Sequence, residues 1–474
     1  MAVRIRKSVW SLPQGDPAIT WYRKAVDALM AKPLTDPTAW RYMAAVHGVP
    51  SNISTSPATV DFWDQCQHQS WFFLSWHRGY LAAFEAVIAK TIEGLGGPAD
   101  WALPYWNYSE SLSTNPKARL MPPDFFARTI NGQPNGLWSR RNNASNGDFN
   151  LDDPAVSLQA LNFRNFANSV PGRPSGFGGP VTGFNPGGGD NGGIENLPHN
   201  RIHVKIGGFM GDPSTAALDP IFWLHHANID RLWDVWRNQG TAFKNPNTAD
   251  WLTDVTFNMH DGNGQPFTYV SNDVLDTTAF MHGYKYDSVP VPRGALEAME
   301  VAMVTEDRGA PELAGASAGG ISLEGNLTHI EVPLTKKMRT KSFLESTIPT
   351  PQHVYLSLEN ITGVGTPGDY KVYLAMPGDG KPVFAGVMTT FGIERASNPD
   401  RSHGGSGLNH VFDITGLADQ LGLTTGTVSQ LKVSFEREGV PEVSNEVPAG
   451  LESYVPPTPR ASSIKVGQVN LYYD

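Results

Sequence analysis

The chain has 474 residues, of which 40% are hydrophobic and 10% aromatic, so it can bury a large core and form two or three domains. Its formal net charge of −10 argues against non-specific nucleic-acid binding, which requires a basic surface. The single cysteine, Cys66, excludes an intramolecular disulfide.

The N-terminal residues, MAVRIRKSVWSLPQGD, are basic, but no apolar segment of signal-peptide type follows them. No apolar run approaches the roughly 18 residues of a membrane-spanning helix. We therefore expect a soluble protein, either cytoplasmic or exported without a recognisable signal peptide, with neither nucleic acid nor membrane as a partner. The sequence is compatible with an oligomer but does not define one.

Helical spacing of apolar residues marks two segments in the first quarter of the chain. One is 17–46, and the other is the second half of 60–93, which contains WFFLSWHRGYLAAFEAVIAKTIE. Residues 110–195 are instead rich in Pro, Asn and Gly, as in GRPSGFGGPVTGFNPGGGDNGG. This composition predicts a long surface excursion.

Residues 219–237, DPIFWLHHANIDRLWDVWR, have a clear helix signature. Asp219 is a favourable N-cap and Pro220 suits the first turn. An apolar stripe with one imidazole follows at helical spacing: Phe222, His226, Ile229, Trp233 and Trp236. A lone histidine on such a face is usually a hydrogen-bonded core residue, so the other histidines decide how His226 is interpreted.

The C-terminal third changes character. Residues 293–325 are rich in Ala, Gly and Glu with little periodicity, which predicts a linker. Beyond it, 326–474 contain short alternating runs such as HIEVPL, HVYLSLENI and LKVSFERE, separated by Gly, Pro and Asn. We therefore expect a mainly α domain over 1–292 and an all-β sandwich over 326–474.

Six histidines fall into two groups of three along the chain. The first group is His47, His68 and His77, and the second is His199, His203 and His226. His199 and His203 are four residues apart, so one helical face would carry both rings. Two groups of three imidazoles predict two metal ions.

The donor set narrows the choice of metal. Imidazole suits zinc, copper, iron and nickel. Neither group includes an obvious carboxylate or thiolate ligand, and three imidazoles leave a coordination position open for an exogenous ligand. Neutral donors favour a copper pair that shares dioxygen, whereas a zinc hydrolase would more often use Asp or Glu to bridge the ions. A dinuclear hydrolase stays open as an alternative.

These motifs resemble the type-3 copper proteins, the family of tyrosinases, catechol oxidases and hemocyanins, over residues 20–290. The similar motifs are His47, CQH with His68, WHRGYLAAFE with His77, ENLPHNRIH with His199 and His203, and DPIFWLHHANIDRLW with His226. YKY at 284–286 resembles the tyrosine motif that closes the family's catalytic domain. In that family the second histidine of the HH pair is the ligand, which selects His226 over His225.

The resemblance implies a mainly α catalytic domain, in which a helix bundle and long loops surround a dinuclear copper site. It implies a tyrosinase that ortho-hydroxylates small monophenols and oxidises o-diphenols to o-quinones, with two copper ions and O2 as co-substrate. A catechol oxidase lacking monophenolase activity and a hemocyanin-like oxygen-binding protein would use the same metal pair. The single unit without repeats, together with Glu195 and Asn200, favours the enzyme.

Glu195 and Asn200 lie on either side of His199 in the sequence. From the residues alone, they would be interpreted as a surface carboxylate and an amide at the start of a helix. In the family these two positions jointly hold a water molecule near the metals. A phenol has a pKa near 10 and binds copper only after losing its proton, so such a water would act as the base.

Cys66 precedes His68 by two residues, and a lone buried cysteine is most often an inert small hydrophobe. In plant and fungal relatives, however, a cysteine near the first copper is joined to a histidine. The resemblance therefore implies a Cys66–His68 thioether that would hold the imidazole in one orientation.

Three further residues are candidates for the pocket wall. Phe222, one turn before His226, is a core residue or a wall of the copper pocket. Val204 is small and apolar where some relatives carry a bulkier or charged residue. Pro213 stands where plant relatives usually carry a gate phenylalanine, which predicts a more open mouth on that side.

The C-terminal runs PVFAGVMTTF, HVFDITGLADQLG and LKVSFERE resemble, more weakly, the jelly-roll-like domain of plant polyphenol oxidases and hemocyanins. There the domain covers the active site and can keep the enzyme latent. The resemblance implies the same here, but the sequence does not identify the blocking side chain.

Overall fold

The structure is a computed structural model of the 474-residue chain. The residues it describes are 3–13, 15–56, 58–142, 150–185, 187–290, 310–335, 353–365, 368–378, 380–399, 405–424, 428–439, 443–455 and 463–474.

The α-helices of the described residues lie almost entirely in the N-terminal part. They are α1 (Pro17–Met30), α2 (Trp40–His47), α3 (Phe73–Gly94), α4 (Pro123–Phe126), α5 (Arg201–Ile206), α6 (Pro220–Arg237), α7 (Ala249–Leu252) and α8 (Ile393–Ser397). Short 3-10 turns occur at Pro154–Val156, Gln159–Asn162, Gly208–Gly211, Ala216–Leu218, Ser271–Val274, Thr415–Leu417 and Glu452–Tyr454. Among the described residues, no helix combines the length and the apolarity needed to cross a membrane.

Helix α6 begins where its N-cap predicts. Asp219 accepts a hydrogen bond from the backbone N–H of Ile221 at 3.0 Å, and Pro220 occupies the first turn. The buried helices α3 and α6 pack against each other, and the rings of Phe84 and Trp223 stack with centroids 3.5 Å apart. This pair of helices forms the centre of the first hydrophobic core and carries two of the six histidines.

A buried carboxylate ties the helical core to the N-terminal strand and to the YKY motif. Asp230 Oδ1 accepts from Arg78 at 2.5 Å, and its Oδ2 lies 3.4 Å from Arg6 Nη1. The hydroxyls of Tyr284 and Tyr286 both donate to the same Oδ2 at 2.5 Å. Because two guanidinium groups face one carboxylate, they lower the pKa of Asp230 although burial alone would raise it.

The segment 110–195 differs from the predicted surface excursion. Phe166 and Phe177 are buried, and the ring of Phe177 stacks on Trp236 of α6 at 4.6 Å. Trp236 Nε1 also donates to the carbonyl of Phe163 at 2.6 Å. The prediction was wrong because scattered aromatic anchors, rather than a periodic pattern, attach this Gly- and Pro-rich chain to the core.

The β-strands include a few short pairs in the helical part and a dense set after residue 310. They are β1 (Arg4–Arg6), β2 (Thr129–Ile130), β3 (Gln133–Pro134), β4 (Gly189–Asp190), β5 (Thr256–His260), β6 (Pro266–Val270), β7 (Tyr284–Tyr286), β8 (Glu312–Ala316), β9 (Ile321–Ser322), β10 (Leu327–Pro333), β11 (Val354–Val364), β12 (Tyr370–Ala375), β13 (Val383–Met388), β14 (Leu408–Asp413), β15 (Gln430–Arg437), β16 (Ser463–Val466) and β17 (Gln468–Tyr473).

Two sheets share the second hydrophobic core and confirm the predicted all-β sandwich. One has the strand order β10-β15-β12-β13, and the other the order β4-β14-β11-β16-β9, with β17 joining β11 and β8. Leu356 of β11 lies opposite Phe412 of β14 and Leu471 of β17 in antiparallel register. Val372 and Phe435 supply the facing sheet's share of the same core. The fold class, a helix bundle with long loops followed by a β sandwich, is therefore as expected.

The predicted linker 293–325 is only partly described, since 293–309 lie outside the described residues. In the remainder, β8 pairs with β17 and β9 pairs with β16, so the prediction of a linker is wrong for 310–325. Its small residues form strands because they bury Ala314 in the sandwich core. The division at 292 and 326 otherwise stays a prediction.

Candidate metal centre

The first three histidines converge from three local structures. His47 is the last residue of α2, His77 lies in the first turns of α3, and His68 precedes α3 in a loop. All three side chains are buried, and their ring centroids are 5.3, 5.5 and 5.6 Å apart. The three rings therefore surround one point, and we call this set triad A.

The other three histidines form an equivalent set, triad B. His199 lies in the turn Glu195–Asn200, His203 is in α5, and His226 is in α6. Their ring centroids are 4.5, 4.9 and 5.5 Å apart, and all three are buried.

The two triads face each other directly. The rings of His77 and His226 stack with centroids 4.5 Å apart and planes at 15°. His68 and His199 are 5.8 Å apart across the same gap. The sequence analysis expected all six rings in one place, and the structure brings all six together.

The outer nitrogens of four rings are held by oxygen acceptors. The pairs are His47 Nδ1 with the Pro213 carbonyl at 2.8 Å, His77 Nδ1 with the Phe73 carbonyl at 2.8 Å, His203 Nδ1 with the Met210 carbonyl at 2.7 Å, and His199 Nδ1 with Asn200 Oδ1 at 2.8 Å. A ring that donates from Nδ1 keeps the lone pair of Nε2 available for a metal.

The inner nitrogens are what a metal pair requires. Within the two triads, Nε2 is buried without a hydrogen-bond partner in His47, His68, His77 and His199, and the neighbouring His225 also has an unpartnered Nε2. The Nε2 atoms of His203 and His226 lie 3.3 Å from each other, as two ligands of one ion would. Burial lowers the pKa of His47 to about 3, so the rings are neutral donors near pH 7. Buried polar atoms are normally paired, so these orphan nitrogens fit two bound ions.

His225 is a seventh buried imidazole beside triad B. The ligand atoms of this ring and of the three triad B rings all lie within 4.8 Å of one another. His225 stacks on His199 at 5.3 Å, and its Nδ1 lies 3.1 Å from the hydroxyl of Tyr108. His226 instead stacks on His77 of triad A, so it lies between the two triads and is the better candidate ligand.

Cys66 lies against the first triad. Its sulfur is 3.3 Å from His68 Nδ1, and the side chain is fully buried. Burial raises the pKa of the Cys66 thiol to about 12, so the group is a neutral thiol rather than a thiolate ligand.

Glu195 is completely buried, and its carboxylate accepts hydrogen bonds from Gln69 and Gly192. The backbone N–H of Gln69 lies 2.9 and 3.0 Å from the two carboxylate oxygens, and the Gln69 side-chain amide donates at 3.2 Å. Gly192 adds a backbone N–H at 3.3 Å. Burial raises the pKa of Glu195 to about 8, although these hydrogen bonds lower it.

Asn200 is connected to Glu195 through two residues that the sequence analysis did not identify. Asn200 Nδ2 donates to Asn191 Oδ1 at 3.1 Å, and the same oxygen accepts from Gln69 Nε2 at 2.8 Å. The only sequence signal that Gln69 belongs to the site was its position directly after His68. Asn191 gave no such signal, because it lies in the segment predicted as a surface excursion.

The candidate pocket residues have different surroundings. The ring of Phe222 lies 4.0 Å from His226 and 5.0 Å from His47, so it touches both triads. Val204 is partly buried against the core. Pro213 contributes its carbonyl to His47, as described above, and its ring faces Gly392 of the β sandwich.

An aromatic side chain from the β sandwich closes the site. The ring of Phe391, 2% exposed, stacks on His203 at 4.1 Å with planes at 21°. It also lies 5.7 Å from His199 and 5.9 Å from His68. The mouth predicted to be open beside Pro213 is thus covered by residues 389–395, here called the cover segment.

Comparisons with known proteins agree with this geometry. A family model described as the common central domain of tyrosinase matches residues 37–162 and 138–239. A model described only as a domain of unknown function matches residues 310–450.

Among similar proteins, the tyrosinase HcTyr1 of Hahella sp. (strain CCB-MM4) is 36% identical over 452 residues, which cover 88% of this chain and 92% of the relative. The chloroplastic polyphenol oxidase of Vitis vinifera is 30% identical over 295 residues, covering 57% of this chain and 45% of that protein. The structure of latent apple tyrosinase has a TM-score of 0.63 at 21% identity, covering 100% of this chain and 97% of that one, and shares the fold.

Two facing triads of imidazoles in a helical core, beneath a β sandwich, define a type-3 copper protein. The chain belongs to the tyrosinase family. It is a copper-dependent oxidoreductase that acts on phenols, and two copper ions are its cofactors.

Proposed function

We propose that the protein is a tyrosinase, which ortho-hydroxylates monophenols and oxidises o-diphenols to o-quinones with O2. The observation that carries this proposal is the buried carboxylate of Glu195, which is linked through Gln69 and Asn191 to Asn200, the residue that contacts His199 Nδ1. The relative with 36% identity over most of both chains is itself named a tyrosinase.

The ligand assignment belongs to the same proposal. His47, His68 and His77 would hold one copper ion, and His199, His203 and His226 would hold the other. The orphan Nε2 atoms and the interleaved stacking of the triads support this assignment. When bound, the two ions supply the redox chemistry with dioxygen, and the neutral imidazoles keep their positions through the Nδ1 hydrogen bonds.

Glu195 would receive the phenolic proton. A phenol with a pKa near 10 must be deprotonated before its oxygen can bind a metal at neutral pH. Because burial raises the pKa of Glu195 to about 8, only its ionised form, which is the minor form at neutral pH, can accept this proton. In this proposal the transfer runs through a water molecule oriented by the free lone pair of Asn200 Oδ1, while His199 occupies the other.

Cys66 and His68 would be joined by a thioether in the mature protein. The bond would join the sulfur to the ring carbon between Nδ1 and Nε2. The thiol and this carbon would each lose one hydrogen, and O2 at the copper site would accept both. The 3.3 Å approach of the sulfur to Nδ1 supports this step. Fixing the ring would hold one ligand of triad A in a single orientation.

The β sandwich would keep the enzyme latent. Phe391 covers His203 from the side on which a phenol ring would approach the triads. Substrate would therefore enter only after the cover segment moves away from the site.

The decisive experiment compares a monophenol with a diphenol in a full-length, copper-loaded protein opened by Phe391→Ala. In that background, Glu195→Gln should lower kcat/KM for 4-methylphenol by about 100-fold and that for 4-methylcatechol much less. The matched control is Glu93→Gln, which neutralises an exposed carboxylate on α3.

An equal fall for both substrates would reject the role of Glu195 in proton transfer. Oxidation of the catechol without any turnover of the monophenol by the parent protein would indicate a catechol oxidase. Reversible oxygen binding without turnover of either would indicate an oxygen-binding protein.

A further inference from the structure

The cover segment carries a second side chain that reaches the site. Four residues after Phe391, Arg395 of α8 forms an ion pair with Asp64. Phe391 stacks on triad B, whereas Arg395 lies beside triad A. The cover segment therefore places an aromatic ring against triad B and a cation near the backbone that follows His47 of triad A.

The position of Arg395 is fixed by a glycine next to a metal-ligand candidate. A Cβ built on Gly48, directly after His47, would lie 2.8 Å from Arg395 Nη1 and 2.6 Å from the carbonyl of Pro213. A side chain at residue 48 would therefore displace the guanidinium. The cation therefore lies beside the backbone that follows His47 of triad A, a position we call the rim.

The acceptor at this rim is a carboxylate held in an unusual backbone conformation. Asp64 has a φ of +62°, and its N–H donates to the carbonyl of Ala45 at 2.9 Å. Its side chain is 27% exposed even under the cover, and it precedes Cys66 by two residues. The negative charge of Asp212 also acts on the Arg395 guanidinium.

The guanidinium is incompletely paired where it lies. Nη2 of Arg395 contacts Asp64, but Nη1 is buried without a hydrogen-bond partner. An unpaired buried donor is costly, so the contact suits a cation that occupies the rim only in the closed form. When the cover segment leaves, Asp64 loses this partner.

We propose that Asp64 is an anionic subsite, which binds the protonated amine of a phenol or catechol whose ring occupies the place of Phe391. Arg395 and Phe391 act together as an internal stand-in for such a substrate. The favoured substrates are phenolic amines, and phenols with a carboxylate side chain are disfavoured. The inference rests on the proposed function for the reaction at the ring, but the recognition of the amine is separate from it.

The charges support this selection near neutral pH. A primary amine on an alkyl side chain has a pKa near 10, so it is protonated and carries a positive charge. A hydrogen bond between two charged groups in a partly buried pocket contributes more than a neutral one. A phenol without a cationic group would bind through its ring alone.

The test uses the full-length, copper-loaded chain carrying Phe391→Ala and Arg395→Ala, which removes both parts of the stand-in. The selectivity is the ratio of kcat/KM for tyramine to that for 4-methylphenol, measured again with dopamine and 4-methylcatechol. Asp64→Asn should lower both ratios by about tenfold. Asparagine tolerates the left-handed backbone conformation at residue 64, so this variant keeps the local fold.

The matched control is Asp61→Asn, which removes the same charge from an exposed residue of the same loop. Its ratios should equal those of the parent. High salt should also lower the ratios of the parent protein, because it screens the amine–carboxylate attraction, and should leave those of Asp64→Asn unchanged. Equal ratios in the Asp64→Asn variant and its parent overturn the inference.

The outcomes separate this inference from the proposed function. If tyramine and 4-methylphenol are not turned over, the tyrosinase proposal fails, and the dopamine ratio alone decides the subsite. The binding of dopamine and of 4-methylcatechol to the copper-free form of the same parent chain can also be measured by equilibrium dialysis. This measurement requires no reaction. Tighter binding of dopamine that disappears in Asp64→Asn supports the subsite, and equal binding of the two catechols overturns it.

Discussion

The ring of Phe391 lies 4.1 Å from that of His203, with the two planes inclined by only 21°. One residue comes from the β sandwich and the other from α5, which contributes His203 to triad B. In the proposed reaction a phenol ring would take the place of Phe391 over this imidazole, so the two rings would compete for one site. The described structure is therefore the closed form.

Replacing Phe391 with alanine should raise the activity of the full-length protein without any activator. If the open form is populated to less than about 10%, removal of the Phe391 ring should increase the rate of 4-methylcatechol oxidation by about tenfold or more. The rate is measured with copper content held equal. The control is Phe384→Ala, which removes an exposed phenylalanine from β13, the strand that precedes the cover segment. An unchanged rate in Phe391→Ala would contradict latency through this ring.

The thioether can be checked by intact mass. Copper-loaded protein that has reacted with O2 should weigh two hydrogens less than the unmodified chain, and Cys66→Ser should show no such loss. Peptide mapping should locate the change in the fragment that contains both Cys66 and His68. A full mass after copper loading and turnover would rule the bond out.

Loss of the Asp230 charge should destabilise the helical core. Asp230→Asn removes the carboxylate that Arg6 and Arg78 share, and because Arg6 keeps Glu85 and Arg78 keeps Asp234, the cost should be at most the roughly 3–5 kcal/mol of a fully broken buried pair. The free energy of unfolding of the copper-free protein in urea measures the effect. Asp234→Asn is the control, because this partly exposed carboxylate contacts Arg78 alone and should cost much less. Similar losses in the two variants would contradict a special role for Asp230.

A cluster of charges joins α5 to the β sandwich. The buried guanidinium of Arg201 lies 2.7 Å from Asp369, 2.6 Å from Glu438 and 3.0 Å from Asp152. Lys205 also pairs with Asp152 and Glu438, and Asp369 is the most deeply buried of the three carboxylates. Burial raises the pKa of Asp369 to about 6 and the nearby Glu438 adds to the rise, although Arg201 and a hydrogen bond from the Thr390 N–H lower it.

This raised pKa predicts a pH dependence of stability. Because Asp369 binds its proton more tightly in the folded state, its contribution is fully present below about pH 4 and is lost as the pH rises through about 6. The total change is at most about 3 kcal/mol. Between pH 4.5 and 7.5, the unfolding free energy of the wild type should therefore fall relative to that of Asp369→Asn. If the unfolding free energy of the wild type instead rises with pH relative to that of Asp369→Asn, the ion pair with Arg201 outweighs burial.

Local signals in the sequence predicted much of the site. The N-cap at Asp219, the helical stripe of α6 and the four-residue spacing of His199 and His203 all depend on neighbours along the chain. The structure has the helix and the six converging rings where these patterns place them.

Contacts between distant segments were not readable in the same way. Phe391 follows two threonines in an ordinary strand pattern, and nothing nearby indicates that it reaches His203. Gln69 and Asn191 are amides with no distinctive spacing, and only folding brings them to Glu195 and Asn200. The pairing of β8 and β9 was missed because alanine and glycine are poor strand formers in isolation.

The two-residue strand β4 gives the β sandwich a role that a simple lid would lack. Gly189 and Asp190 pair in parallel with Leu408 and Asn409, so the backbone just before Asn191 is hydrogen-bonded to the β sandwich. Proteolytic removal of the β sandwich would remove the strand with which this loop pairs, and it would also remove the ring of Phe391. An enzyme activated by cleavage and one activated by a hinge-like displacement are thus different catalysts, and their preference for monophenols over diphenols should differ.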